Sequence, residues 1–218
     1  MNRTHFEKEL EDLHYDILKM GALVEEAIGN SILSLINHDV ELARKVIEQD
    51  DRIDEKEVEI DDRCSRIILT QQPLAKDLRI VLTGLKINTD LERMADHAVD
   101  IAKTTIRIAD QTYIKPLIDI PRMSDIVREM VKLSLDSYVN QDTEMARTIN
   151  QKDDIVDGLY KQIFRELLTY MIEDHKNIDQ AAQFLFVARY LERIADHATN
   201  ICEWVIYLES GQHIDLNE

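Results

Sequence analysis

Apolar residues recur at intervals of three and four along almost the whole chain. Phe6, Leu10, Leu13, Ile17, Val24, Ile28 and Leu35 fall on one stripe, which marks a helix with one buried face because about 3.6 residues complete a turn. The same periodicity predicts helices over residues 4–37, 40–71, 75–110, 122–140, 143–173 and 178–210. Each break has a local cause. Asn37-His38-Asp39 supplies a turn and a cap, Gln72-Pro73 stops one helix and opens the next, and the stretch from Tyr113 to Pro121 holds two prolines, which cannot continue a helix. Asn140-Gln141-Asp142 and Asp174-His175-Lys176-Asn177 account for the remaining two.

The pattern is written twice. LERMADHA at residues 91–98 returns as LERIADHA at 191–198, and a shift of 103 places Met20 on Met123, Asp39 on Asp142, Ala43-Arg44 on Ala146-Arg147, and Asp50, Asp51 and Asp54 on Asp153, Asp154 and Asp157. For the third helix of each half the shift drops to 100. A repeat at this period is one supersecondary unit copied in tandem. The expected fold is all-α, two similar three-helix bundles over residues 1–113 and 114–218, elongated because helices of some 30 residues reach about 45 Å.

Composition narrows the function. With 43 Asp and Glu against 26 Lys and Arg the formal net charge is −17, which repels phosphate backbones and anionic lipid and disfavours nucleic acid as a partner. Cations and basic protein surfaces are the expected attractions. The charged start MNRTHFEKELEDLH and the lack of a long apolar run predict a soluble protein inside the cell. Cys64 and Cys202 have no ligand spacing and read as packing residues.

In so acidic a chain one Glu-x-x-x-Asp is weak evidence, so direction matters more than spacing. A helical wheel puts Leu91, Met94, Ala95, Ala98, Ile101 and Ala102 on the packing face of the third helix, with Glu92, Asp96 and Asp100 facing outward or along a flank. On the second helix Asp50 and Asp54 fall inside the apolar stripe, as do Asp153 and Asp157 in the second half. Carboxylates at core-like positions are costly unless a cation, a hydrogen-bond network or a raised pKa compensates. One solution is a metal site built from Asp50, Asp54, Glu92, Asp96 and Asp100, with a second from Asp153, Asp157, Glu192 and Asp196. All-oxygen donors suit Mg, Ca, Mn or iron, and several carboxylates can bridge more than one ion. The competing reading leaves these residues on solvated faces or paired with arginines. His97 and His197 read as solvated partners of the neighbouring aspartates rather than ligands.

No phosphate-binding glycine loop, nucleophile elbow or His-Glu-x-x-His occurs, and Glu11 with His14 is the one Glu-x-x-His, too few for a ferritin-type di-iron site. A metal-dependent enzyme acting on phosphorylated substrates and a purely structural bundle are two readings these residues leave open.

The two octapeptides, with Gln72-Pro73-Leu74-Ala75-Lys76-Asp77-Leu78-Arg79, Met171-Ile172-Glu173-Asp174 and Asn200-Ile201, give the whole chain a resemblance to the PhoU family. Gln71 departs from the arginine that many members carry there. The resemblance implies tandem, spectrin-repeat-like three-helix bundles related by a pseudo-twofold axis. It also implies a non-enzymatic, cytoplasmic negative regulator of phosphate uptake and of the phosphate-starvation response, a homodimer in peripheral association with membrane complexes. The implied partners are the phosphate ABC transporter's ATPase and a sensor histidine kinase. Metal ions or polynuclear clusters would sit on Glu/Asp-x-x-x-Asp motifs, here Glu92 with Asp96, Glu192 with Asp196, Asp50 with Asp54 and Asp153 with Asp157.

Overall fold

The computed structural model describes residues 3–216, all of it helix and connecting turns, with no strand among the described residues. The first repeat consists of α1 (Arg3–Asn37), α2 (Val40–Gln71) and α3 (Lys76–Ile108). The second consists of α4 (Asp119–Asn140), α5 (Thr143–Arg147), α6 (Ile149–Glu173) and α7 (Ile178–Ser210). The single long helix expected over 143–173 is broken at Thr148. Its hydroxyl donates to Met145 O at 2.7 Å and its N–H takes the same carbonyl at 3.0 Å, a local bonding pattern that competes with the regular helix ladder.

Both repeats are built by the same local devices. His38 and Gln141 adopt left-handed backbone (φ 53 and 51). The aspartate that follows each caps the next helix, Asp39 accepting from Leu42 N and Asp142 from Met145 N, both at 2.9 Å. Such caps satisfy N–H groups that a helix start would otherwise leave unpaired. Inside, Ser31 and Ser34 donate to Ile28 O and Ser31 O at 2.8 and 2.7 Å. Ser134 and Ser137 repeat these bonds to Val131 O and Ser134 O at the same lengths.

The predicted stripe of α1 is the core of the first repeat: Leu13, Ile17, Val24, Ile28 and Leu35 are wholly buried. On its flank Arg63 of α2 converges on Asp16 Oδ2 through Nε (2.9 Å) and Nη2 (2.8 Å), and Lys56 approaches Asp16 Oδ1 at 3.5 Å. This pins α1 to α2.

The repeats pack on one another through α3 against α7 and α1 against α4, and the apolar core runs unbroken through both. The outer helices α2 and α6 touch only helices of their own repeat. α1 and α4 run antiparallel and close: a Cβ on Gly21 would lie 2.3 Å from Leu135 Cδ1, and one on Gly29 would lie 3.5 Å from Arg128 Cζ. The connector between α3 and α4 is held by buried Gln180 of α7. Its Oε1 accepts from Ile114 N at 2.6 Å, and its Nε2 donates to Gln111 Oε1 (2.9 Å) and Thr112 O (3.2 Å). Tyr113 adds a bond from its hydroxyl to Leu35 O at 2.7 Å.

Candidate metal centre

The octapeptides occupy equivalent places in α3 and α7, and the burial of residues 91–100 is repeated position for position at 191–200. Leu91, Met94, Ala95 and Ala98 are buried, as are Leu191, Ile194, Ala195 and Ala198. The alanines let these helices approach their neighbours closely. Glu92, Asp96, Glu192 and Asp196 are half-buried along a flank, where α3 meets α2 and α7 meets α6.

In the first repeat this flank gathers carboxylates from both helices. Burial, and then the charges of Asp54 and Asp96, push Asp50 up to about 6, against the opposing pull of Lys103. Burial and Asp96 push Glu92 up to about 7; Arg93 opposes them, while Glu57 and Asp54 add to the rise. Crowded, partly desolvated anions favour the protonated form because each raises the cost of ionising the next. Asp50 is half-buried as the wheel implies, but Asp54 is exposed. It lies at the rim of the stripe rather than inside it, because the edge of α2 at that level faces solvent. Asp100 lies one turn beyond Asp96, its carboxylate 3.8 Å from Lys103 Nζ, and its charge is felt by His97 and by Tyr190 of α7.

The second repeat makes a similar but better balanced edge. Burial, Asp157 and Asp196 push Asp153 up to about 6, with the nearby Thr199 hydroxyl opposing. Burial and then Asp196 raise Glu192, with Arg189 and Arg193 opposing. Burial likewise raises Asp196, against Arg193, Arg189 and His197. Arg189 is in contact with Glu192 Oε1, and Lys161 holds Asp157 Oδ2 at 3.0 Å. Glu192 Oε2 is buried without a hydrogen-bond partner.

Several participants lie outside the sequence-predicted set. Glu57, three residues after Asp54, faces Asp54, Asp96 and Asp61, and burial raises its carboxyl before these charges add to it. Its counterpart is Tyr160. Arg189 and Thr199 stand where the first half has Thr89 and Val99, and only the three-dimensional pairing shows that they touch the cluster. The donor chemistry fits a hard cation: part-buried carboxylates with raised pKa, and an orphaned Glu192 oxygen, all gain from positive charge. The carboxylates stand as neighbouring pairs rather than a closed cage, since among the described residues no three His, Cys, Asp or Glu side chains converge as a group able to hold one ion. Arg93, on Asp96 Oδ2 at 3.1 Å, and Lys161 occupy oxygens that a cation would take over.

The histidines are not the solvated residues expected. His197 Nδ1 lies 2.8 Å from Asp90 Oδ1 on α3, and Asn200 Nδ2 donates to the same oxygen at 3.3 Å. His97 stacks on Tyr190 of α7, with ring centroids 5.7 Å apart, and lies 6.0 Å from the His197 ring. A wheel drawn for one bundle cannot show this face, because its partner is the other bundle. Cys64 and Cys202 are free and buried, as packing residues should be.

An all-α fold of two tandem three-helix repeats, with an acidic edge in each, defines a class of two-repeat helical proteins. Comparison with known proteins makes the assignment specific. The family model described as PhoU domain matches twice, over residues 17–105 and 120–205, and the chain belongs to the PhoU family. It is 45% identical over 219 residues, the full length of both chains, to the phosphate-specific transport system accessory protein PhoU homolog of Clostridium acetobutylicum. It is 48% identical to the Aquifex aeolicus homolog over 94% of this chain and 93% of that one. The crystal structure of PhoU from Pseudomonas aeruginosa superposes with a TM-score of 0.91 at 38% identity, covering 95% of this chain and all of that one. The phosphate transport system regulatory protein PhoU from Streptococcus pneumoniae gives 0.89 at 30% identity, over 96% and 99%.

Proposed function

We propose that this chain is a non-enzymatic negative regulator of phosphate uptake and of the phosphate-starvation response. The observation that carries this reading is full-length likeness to accessory proteins of phosphate-specific transport systems. In this reading it works in the cytoplasm as a homodimer of two-repeat subunits divided near residue 113. It docks peripherally on membrane complexes and links the phosphate ABC transporter's ATPase to a sensor histidine kinase. Asp50, Asp54, Glu92, Asp96 and Asp100 on one edge, and Asp153, Asp157, Glu192 and Asp196 on the other, hold iron, Mg, Mn or Ca. Bound cations neutralise carboxylates that otherwise repel one another across α2 and α3, or α6 and α7. They thereby fix each outer helix against its neighbour. No helix among the described residues is long and apolar enough to cross a membrane, which supports docking onto membrane partners rather than insertion.

The test is capture of the transporter ATPase and the kinase's cytoplasmic part by the purified protein, with and without phosphate. Binding of both under high phosphate supports the reading, and binding of neither overturns it. Elemental analysis of protein purified without chelators tests the metals separately.

A further inference from the structure

Between α1 and α4 lies an open groove of about 850 Å³, distinct from both acidic edges, that no part of the chain covers among the described residues. Gly21, against Leu135, and Gly29, against Arg128, let α4 close on α1, and exposed Ala22 leaves room in the groove beside them. Its lining runs on α1 from Leu18 to Ile36, a length of about 27 Å at 1.5 Å per residue, or some five helical turns. Leu18, Leu33 and Ile36 line it while 37%, 46% and 41% exposed. A groove of this length between two helices, with exposed Leu18, Leu33 and Ile36 set among charged residues, matches an incoming helix that lays down one apolar stripe with charged flanks.

The charges select among helices. Arg128 and Lys132, midway along α4, oppose the rise that burial imposes on Glu25, and Asp136 adds to that rise. With Glu25, Glu26, Asp125 and Asp136 against those two cations the lining is acidic on balance, the two aspartates flanking the α4 basic pair. A second copy of this chain, at net charge −17, meets like charge there, and an anionic lipid surface does too.

We propose that the α1–α4 groove is a docking site for an amphipathic helix of a partner protein, carrying an apolar stripe flanked by Lys or Arg. The proposal goes beyond the regulatory reading and does not depend on metal at either edge.

The test uses the full-length protein and a fluorescein-labelled, 18-residue helical peptide with leucines on one face and lysines on both flanks, read by anisotropy at physiological salt. Wild type is expected to bind it saturably. The Leu33→Glu/Ile36→Glu double variant should bind at least tenfold more weakly, although each substitution adds a negative charge and would strengthen attraction by charge alone. Ala22→Trp, which fills the groove from an exposed position without new charge, should give the same loss. No saturable binding by wild type, or undiminished binding by both variants, overturns the proposal. It is equally overturned if sedimentation shows a wild-type dimer that the double variant splits, since the occupant is then a second copy.

Discussion

His197 of the second repeat and Asp90 of the first meet with Nδ1 2.8 Å from Oδ1, a contact between residues 107 apart in sequence that ties one octapeptide to the opposite repeat. Asp90 is buried and also accepts from Asn200. Asp90→Ala strands both partners at the interface and is expected to cost about 1–3 kcal/mol, the usual penalty for unpaired buried polar groups. A thermal melt should fall by several degrees, and an unchanged melt would show that the contact carries no stability.

Gln180 is the sole side chain of α7 seen to bond the connector at Gln111, Thr112 and Ile114. Gln180→Ala should speed hydrogen exchange at Ile114 N at least tenfold while leaving exchange in the middle of α2 unchanged. Equal protection in the variant would mean that Tyr113 and packing hold the connector unaided.

His14 contributes to the pH dependence in the same sense as His97, whose pKa burial also lowers. Both act against Asp50, Glu92 and Asp153, whose raised pKa values add stability as pH falls. Burial lowers the His14 pKa from 6.5, its Nε2 has no hydrogen-bond partner, and its ring meets Tyr138 edge-on at 5.0 Å. The unfolded chain therefore takes up a proton that the folded chain resists. The stability associated with a neutral His14 is fully present above about pH 6.5 and is lost as pH falls through the lowered folded value. His14→Phe should raise the melting temperature at pH 5 relative to that at pH 7, compared with the same difference in wild type. A difference as large as that of wild type would assign the acid sensitivity to other groups.

The two edges should not bind cations equally. The first adds Glu57 and Asp100 where the second has Tyr160 and Asn200, while the second brings Arg189 onto Glu192. After chelation, titration with Mn²⁺ should raise the melting temperature in two steps. Asp50→Asn/Glu92→Gln should remove the tighter step and Asp153→Asn the weaker. A ligand at a hundredfold its Kd stabilises by about 2.7 kcal/mol, well within reach of calorimetry. No shift in wild type would argue against cations at either edge.

Much of this was legible in the sequence because apolar spacing fixes which face of a helix is buried. Leu13, Ile17, Val24, Ile28 and Leu35 needed nothing else. The repeat also transferred caps reliably, since Asp39 and Asp142 act within one turn of chain. What escaped depended on neighbours that periodicity does not name. His97 and His197 face another repeat, Glu57 joins the acidic edge only because α3 lies against it, and Asp54 sits at a rim that the wheel's idealised angles placed too far inward. The break at Thr148 lies in its backbone N–H taking the carbonyl three residues back, at Met145, which apolar spacing does not register.

The outer helices α2 and α6 each touch only their own repeat, while α3 and α7 form the shared spine. An event that draws α2 toward α3 therefore has no direct mechanical route to α6. Any direct coupling between the two edges must cross the α3–α7 seam, where His197 meets Asp90 beside the His97 ring, and Asp90→Ala should weaken it.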